Sequence, residues 1–380
     1  MSQKKFSIVD TTLREGEQFH RANFSTQDKI EIAGQLSNFG VEYIELTSPC
    51  ASPKSKSDCE IIARKGLKSK ILTHIRCTKQ DAKTAIDSGV MGINFFSQSA
   101  VFQNKSNFGK QASQVLANIL EVLRFTREKA PEVEIRFSME DVFRTPVDNL
   151  IKVYKAVGKS GTVDRIGISD TVGIALPHDV EKIVRLLKSL NQKDIEFHGH
   201  NDTECAVANS YAALKAGATH IDTSVLGIGE RNGITSLAGF IARMYSLESD
   251  LIKKKYNLEN FKKLHETVSK RVGIGIPYNH PIMGEAAFMH KAGVHTKSVL
   301  LNPKSYEIID PSDFDELRTI LIAHKLTGWN AIKDRAEKLG LGFKDSEIKE
   351  IALKIKRIAD GKNIGLNKVD KILIYDSKKL

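Results

Sequence analysis

Eight short apolar, β-branched runs alternate with eight amphipathic stretches over the first two thirds of the chain, and this rhythm limits the fold more than any other feature. The runs read as strands over 6–10, 42–47, 70–74, 92–96, 133–138, 163–169, 194–198 and 219–224. The stretches 26–39, 57–65, 78–88, 111–129, 146–158, 178–190, 201–216 and 235–246 read as helices, several with end signals such as Ser25 or Thr26 before the first and Gly40 or Gly217 after the first and seventh. Strands alternating with helices imply right-handed crossovers and a parallel sheet. Eight repeats over about 245 residues match a (β/α)8 TIM barrel in count and size. A doubly wound sheet would usually carry a glycine-rich turn after its first strand, where this chain has Asp10-Thr11-Thr12-Leu13-Arg14-Glu15.

After Tyr245 the rhythm stops. A charged helical segment (249–271) leads to Gly273-Ile274-Gly275-Ile276-Pro277, which reads as a linker. A Gly/His-rich stretch follows (284–306), then helices are expected near 312–325, 328–339 and 345–360. The chain thus divides into a catalytic barrel with a flanking helix (1–272), a linker and lid subdomain (273–310) and a mostly helical C-terminal subdomain (311–380). The tail has too little apolar sequence for a large core of its own, so it is expected to pack on a partner or act as a lid.

The net charge of +11 raises a nucleic-acid reading, but the excess sits on helical faces (Lys253, Lys254 and Lys255; Lys354, Lys356 and Arg357) without a recognition motif. A solvated basic surface that attracts anionic metabolites is the better account, with no specific nucleic-acid partner. No run approaches the ~20 apolar residues that a helix needs to cross a bilayer, and no membrane partner is expected. Met1-Ser2-Gln3-Lys4-Lys5 leads straight into a strand, with no signal or transit pattern, and Cys50, Cys59, Cys77 and Cys205 show no C-x-x-C spacing. Reduced thiols and a cytoplasmic location are expected.

In a barrel of this kind, functional groups collect at the C-terminal strand ends. Those ends carry Arg14, Glu15 and Gln18; His74; Asn94; Arg136, Ser138 and Glu140; Asp170 and Thr171; His198, His200 and Asn201; and Glu230, Arg231 and Asn232. His198 and His200 are two apart on a strand, so both imidazoles project from one face about 6–7 Å apart at the backbone. With Glu15 they offer two nitrogens and a carboxylate and leave open positions, as a catalytic Zn²⁺, Mn²⁺ or Mg²⁺ site requires. A lone histidine there would be read as structural. Arg14 suits stabilisation of a developing alkoxide, or else pairs with Glu17. Arg136 and Ser138 face the same way and suit a carboxylate, or else Arg136 pairs with Glu140. His74 is either a pocket group or a packed ring.

These residues lie in motifs that resemble the metal-dependent, acyl-CoA-condensing barrel synthases: the isopropylmalate, citramalate and homocitrate synthases, relatives of HMG-CoA lyase. The motifs are Asp10-Thr-Thr-Leu-Arg-Glu-Gly-Glu-Gln18, Arg136-Phe-Ser-Met-Glu-Asp141, Asp170-Thr-Val-Gly173, His198-Gly-His-Asn-Asp202, Gly227-Ile-Gly-Glu-Arg-Asn-Gly233 and His290-Lys-Ala-Gly-Val-His295. Within the group, Asn23-Phe-Ser-Thr-Gln27, Thr73-His-Ile-Arg-Cys77 and Asn302-Pro303 are most similar to homocitrate synthases. Arg136 stands where isopropylmalate synthases tend to carry an acid, and a cation there suits a 2-oxo acid with a second carboxylate.

The resemblance implies condensation of acetyl-CoA with 2-oxoglutarate, as in the first step of the aminoadipate route to lysine. A metal on Glu15, His198 and His200 would chelate the acceptor beside Arg14. Thr171 would hold the 1-carboxylate, and Arg136, Ser138 and His74 the distal one. His295 would be the base, supported by Glu140 and Tyr306. It also implies a homodimer with the lid exchanged between subunits. In relatives an aspartate at position 94 and the glutamate matching Glu196 grip lysine, a feedback inhibitor; here position 94 is Asn, so weaker inhibition is expected. Phe95-Phe-Ser-Gln-Ser99 lacks the usual Gly-Thr-Ser, and 100–111 also diverges. A sister condensation (2-isopropylmalate, citramalate or citrate formation) and a non-enzymatic regulatory or nucleic-acid-binding barrel are the alternatives.

Overall fold

A computed structural model describes residues 6–97, 102, 109–362 and 364–379. Met1–Lys5, Gln98, Ser99 and most of the divergent stretch 100–111 lie outside the described residues. The chain forms two compact units, one ending at Ile276 and the other beginning at Pro277.

The first unit is a closed eight-stranded parallel barrel in which each strand pairs with the next and β8 returns to β1. Its strands are β1 (Ser7–Asp10), β2 (Tyr43–Leu46), β3 (Lys70–Arg76), β4 (Gly92–Ser97), β5 (Glu134–Met139), β6 (Arg165–Asp170), β7 (Asp194–Gly199) and β8 (His220–Thr223). Between and after them run α1 (Thr26–Phe39), α2 (Pro53–Ala63), α3 (Lys79–Asp87), α4 (Lys110–Lys129), α5 (Val147–Lys159), α6 (Pro177–Leu190), α7 (Ala206–Ala216) and α8 (Leu237–Lys255). Helices cover the outer face and side chains fill the interior, so the strands are buried on both faces and read as near-continuous apolar runs. The register sets His74, Asn94 and Arg136 side by side on β3, β4 and β5.

Where boundaries differ from the sequence reading, local chemistry explains it. Helix α2 begins at Pro53, earlier than 57, because the Ser52 hydroxyl accepts from the Ser55 N–H at 3.0 Å and proline fits the first turn. Helix α7 begins at Ala206, later than 201: the Asn201 carboxamide accepts from the Ala206 N–H at 3.2 Å and Glu204 takes a left-handed φ of 60°, which keeps 201–205 a loop. Helix α8 runs on to Lys255. Helix α9 (Phe261–Val272) then packs back on α1, with Phe39 and Phe261 ring centroids 5.0 Å apart.

In the second unit, a two-stranded parallel sheet joins β9 (Met289–His290) to β10 (Thr319–Ile320), with α10 (Gly293–Leu301), α11 (Trp329–Lys338), α12 (Asp345–Asp360) and α13 (Leu366–Ser377). The helix expected over 312–325 does not form. Pro311–Phe314 makes one 3-10 turn, Asp315 ends it at φ 56°, and the β-branched Thr319 and Ile320 go into a strand. The tail, expected to have too little apolar sequence for a large core of its own, does hold a small one. Ile332, Ile348, Ile351, Ile355, Val369 and Leu373 pack with Ala331, Ala336 and Ala352 into a core of their own, where small alanines let the helices approach. Among the described residues no helix is long and apolar enough to cross a membrane.

Candidate active site

A cavity of about 440 Å³ opens at the C-terminal ends of the barrel strands. Its walls include Arg14, Glu15, Gln18, His74, Arg136, Glu140, Thr171, His198 and His200, joined by Thr47, Ser48, Phe96, Ser169, Glu230 and Arg231. Asn94, Ser138 and Glu196 do not line it, although all three are buried. Two glycines make room for this crowding. A β-carbon at Gly229 would stand 2.9 Å from Glu15 Cγ, and one at Gly167 only 2.6 Å from Ser138 Cβ and 3.2 Å from Arg136 Nε.

Glu15, His198 and His200 converge, each offering one ligand atom within 4.8 Å of the others. The two Nε2 atoms are 3.4 Å apart, and each lies 3.9–4.0 Å from a Glu15 oxygen. His198 Nδ1 is 2.9 Å from Asp222 Oδ2, so a carboxylate fixes the tautomer and leaves the Nε2 lone pair facing the cavity. Burial and the neighbouring His198 push His200 down to about 4, so its ring is neutral at ordinary pH. Burial pushes the Glu15 carboxyl up, but Arg14 and the two histidines more than offset this and hold it at about 2. The Glu230 N–H donates to Glu15 Oε1 at 3.0 Å. An ionised carboxylate and two imidazole lone pairs form a donor set that fits a divalent cation.

Two of the charged groups that organise this site, Glu45 and Asp222, were not singled out in the sequence, and Glu196, which was, has partners of its own. Glu45 accepts from Arg14 Nε at 2.7 Å and from Asn94 Nδ2 at 2.8 Å. Asp222, besides His198, lies 3.5 Å from Arg136 and 4.0 Å from Arg14. Glu196 is held between Arg136 and Arg165, its Oε2 2.7 Å from Arg165 Nε. The signal available was an acid within an apolar strand (Tyr43-Ile44-Glu45-Leu46 and Ile221-Asp222-Thr223), a position that costs several kcal/mol unless a partner waits there. Neither alternative pairing occurs: Arg14 pairs with Glu15 and Glu45, while Glu17 pairs with Lys29, and Arg136 pairs with Glu196 and Asp222 in place of Glu140. Arg14, Arg136 and Arg165 thus face Glu15, Glu45, Glu196 and Asp222, which leaves this buried set one negative charge in excess, again suiting a cation.

His74 is both a packed ring and a cavity group. It meets Phe96 edge-on at 4.6 Å, and burial, helped by Arg14, lowers it to about 3, so it offers a neutral N–H. Burial, with Asp141 beside it, raises Glu140 above the usual carboxylate range. The Thr171 hydroxyl accepts from the Asp141 N–H at 2.7 Å and keeps its own proton to donate. Ser138 Oγ lies 3.5 Å from Asn94 Oδ1. In the second unit, the His295 and Tyr306 rings stack on each other, centroids 4.2 Å apart and planes 30° off parallel.

Comparison with known proteins agrees with this geometry. Residues 5–268 match the HMGL-like family model, and residues 282–363 match the homocitrate synthase post-HMGL domain-like model. The chain is 50% identical over 368 residues to the cytosolic isozyme of homocitrate synthase from Saccharomyces cerevisiae, covering 97% of this chain and 85% of that one. It is 37% identical over 359 residues to the homocitrate synthase of Sulfolobus acidocaldarius, covering 93% and 75%. Among solved structures, the HMG-CoA lyase of Bacillus subtilis superposes with a TM-score of 0.62 at 24% identity, over 72% of this chain and 96% of that one, a likeness of fold. An HMGL-like barrel, the domain that follows it in homocitrate synthases, and half of all residues shared along nearly the whole length leave one assignment: the chain belongs to the homocitrate synthase family, an enzyme family of acyltransferases.

Proposed function

We propose that the chain condenses acetyl-CoA with 2-oxoglutarate and hydrolyses the resulting thioester, releasing homocitrate and coenzyme A. The observation that carries the reading is Arg136, a cation in the barrel cavity, in a chain half identical to curated homocitrate synthases. Glu15, His198 and His200 would hold a divalent cation (zinc, manganese or magnesium), which when bound supplies Lewis-acid polarisation of the 2-oxo group, worth several kcal/mol of barrier. The protein's own part follows from its charges. Arg14, kept in place by Glu45 and Glu15, sets a permanent positive charge where the ketone oxygen becomes negative. Thr171 donates to the 1-carboxylate. Arg136, Ser138 and neutral His74 take the distal carboxylate, and the dicarboxylate competes with Glu196 and Asp222 for the guanidinium. Gln18, exposed at the rim, meets the incoming substrate.

His295 removes a proton from the acetyl methyl group, supported by Glu140 and Tyr306, a task worth on the order of 10²–10⁴ in rate. The methyl carbon then bonds to C2 of the acceptor, the former ketone oxygen takes up a proton, and water cleaves the thioester to the carboxylate and the free thiol. The enzyme works as a homodimer with exchanged lids, in the cytoplasm. Lysine is at most a weak inhibitor: the Asn94 amide already donates to Glu45, and Glu196 is taken by two guanidiniums, so an ammonium finds no open pair of carboxylates.

Thiol release from acetyl-CoA is the test, with 2-oxoglutarate, 2-oxoisovalerate, pyruvate and oxaloacetate in parallel, each with magnesium, manganese or zinc. Release dominated by 2-oxoglutarate and abolished by chelation supports the reading. Preference for another acceptor overturns the substrate while keeping the reaction class, and silence with all of them removes the catalytic reading.

A further inference from the structure

The unit from Pro277 onward contains a charged cluster with a use of its own. The Glu307 side chain is 7% exposed, whereas Asp334, Asp345, Asp370 and Asp376, the acids of other ion pairs in this unit, are 17–56% exposed. Glu307 Oε1 accepts from His290 Nε2 and from Arg318 Nε, both at 2.7 Å, and Oε2 lies 2.5 Å from Arg318 Nη2. Because a carboxylate only accepts, the His290 proton sits on Nε2. Burying such a set contributes little net stability, since desolvation consumes most of the Coulomb gain. It does fix geometry.

The chain path shows what geometry is fixed. His290 belongs to β9, which is held to β10 by the Thr319 N–H to Phe288 carbonyl and Leu321 N–H to His290 carbonyl hydrogen bonds at 2.9 and 2.8 Å. Two residues after β9, helix α10 begins, and His295 is on its first turn. Glu307 directly follows Tyr306. The His290–Glu307 hydrogen bond and the His295–Tyr306 stack therefore close a ring through two short chain segments. His295 is exposed and Tyr306 is 47% exposed, so the rings themselves have little packing to hold them.

We propose that His290, Glu307 and Arg318 form a positioning cluster that holds the His295–Tyr306 pair in its working orientation. The inference rests on the reading of His295 as the base. Its test uses the full-length, metal-loaded enzyme and the variants His290→Leu, His290→Gln, Glu307→Gln and the His290→Leu/Glu307→Gln double variant. Measured are kcat, both KM values, 2-oxoglutarate affinity by calorimetry, and melting temperature.

His290→Leu and Glu307→Gln are each expected to lower kcat about 10–100-fold, the cost of displacing a reacting group by on the order of 1 Å, with 2-oxoglutarate affinity within about twofold. The double variant should be no worse than the poorer single, because the ring is already open. His290→Gln restores a donor to Glu307 and should recover most of the rate. Wild-type rates in the single variants overturn the proposal, as does a glutamine variant no better than leucine, or a rate loss matched by an equal loss of 2-oxoglutarate affinity. An inactive wild type overturns the base assignment and this role together, whereas active wild type with unaffected variants overturns the cluster alone.

Discussion

The barrel mouth and the His295–Tyr306 region both hold reactive side chains, but they hold them differently. At the mouth, each key group has several buried partners: Arg14 meets Glu15, Glu45 and Asp222, while Asp222 meets His198, Arg136 and Arg14. In the second unit, two exposed rings rest on each other, and Glu307, next in sequence to Tyr306, is tied to His290. A closed barrel can bury a lattice of charges because strands on all sides supply counter-charges at fixed register, whereas a short sheet and one helix supply only a few. Redundant ties make the mouth rigid before substrate arrives, which electrostatic catalysis needs. Damage there should spread through shared partners, while damage in the second unit should stay local.

The largest expected effect is loss of the cation from the mouth. Chelation, or His198→Ala, should lower kcat by at least about 10³-fold, the several kcal/mol that Lewis-acid polarisation contributes. Because the named buried charges leave one negative in excess, 2-oxoglutarate, a dianion, should also bind at least about tenfold more weakly to the chelated protein by calorimetry. Equal affinity with and without the cation would mean that Arg136 and His74 suffice for binding.

Next is Glu45→Gln, which keeps shape and removes the charge that pairs with Arg14. We expect kcat to fall about 10²-fold and 2-oxoglutarate affinity to shift less, because a misplaced cation hurts the transition state most. A melting temperature lowered by several degrees should accompany it, since an arginine left buried without its partner costs a few kcal/mol. Unchanged kcat would show that Glu15 alone orients Arg14, so the ties at the mouth would not be cooperative.

Asp10 tests the same lattice through pH. Burial raises its carboxyl to about 7, against hydrogen bonds from the Thr12 N–H at 3.0 Å and the Thr223 hydroxyl at 3.4 Å. The folded state therefore binds a proton that the unfolded state, titrating near 3.8, has given up. That contribution is complete below 3.8 and is lost as pH rises through 7, on the order of 2 kcal/mol between pH 5 and 7. Asp10→Asn removes it, so the variant should gain on wild type across that window in urea titrations. Parallel curves would place the Asp10 proton elsewhere.

Much of the barrel was legible because strand and helix periods differ and repeat, and the convergence of His198 and His200, which could hold a metal ion with Glu15, was legible because the two share a strand face. The partners were harder. Glu45 and Asp222 are lone acids in β2 and β8, and only barrel closure brings them to residues far away in sequence, His198 and Arg136 among them. The helix expected at 312–325 runs through Asp315, where the backbone turns left-handed and ends the 3-10 turn begun at Pro311. The Glu307 cluster was invisible for the same reason as Glu45: its three residues come from segments that meet only after folding.

Asn94 offers the finest cut. Its amide donates to Glu45 at 2.8 Å, inside the mouth's network, and Asn94→Asp would set a second carboxylate against the first. Two like charges at that distance cannot both stay ionised without a cation between them, so the variant should either take up a proton or recruit an ammonium. Lysine supplies one. We expect Asn94→Asp to be inhibited by lysine at least about tenfold more strongly than wild type, a difference of about 1.4 kcal/mol, competitively with 2-oxoglutarate. The uninhibited rate should fall modestly, because Glu45 then shares its charge between Arg14 and a repelling neighbour. Lysine inhibition equal in the two proteins would mean that the Glu196 side, with Arg136 and Arg165 on it, sets the response, and that position 94 only tunes Arg14 through Glu45.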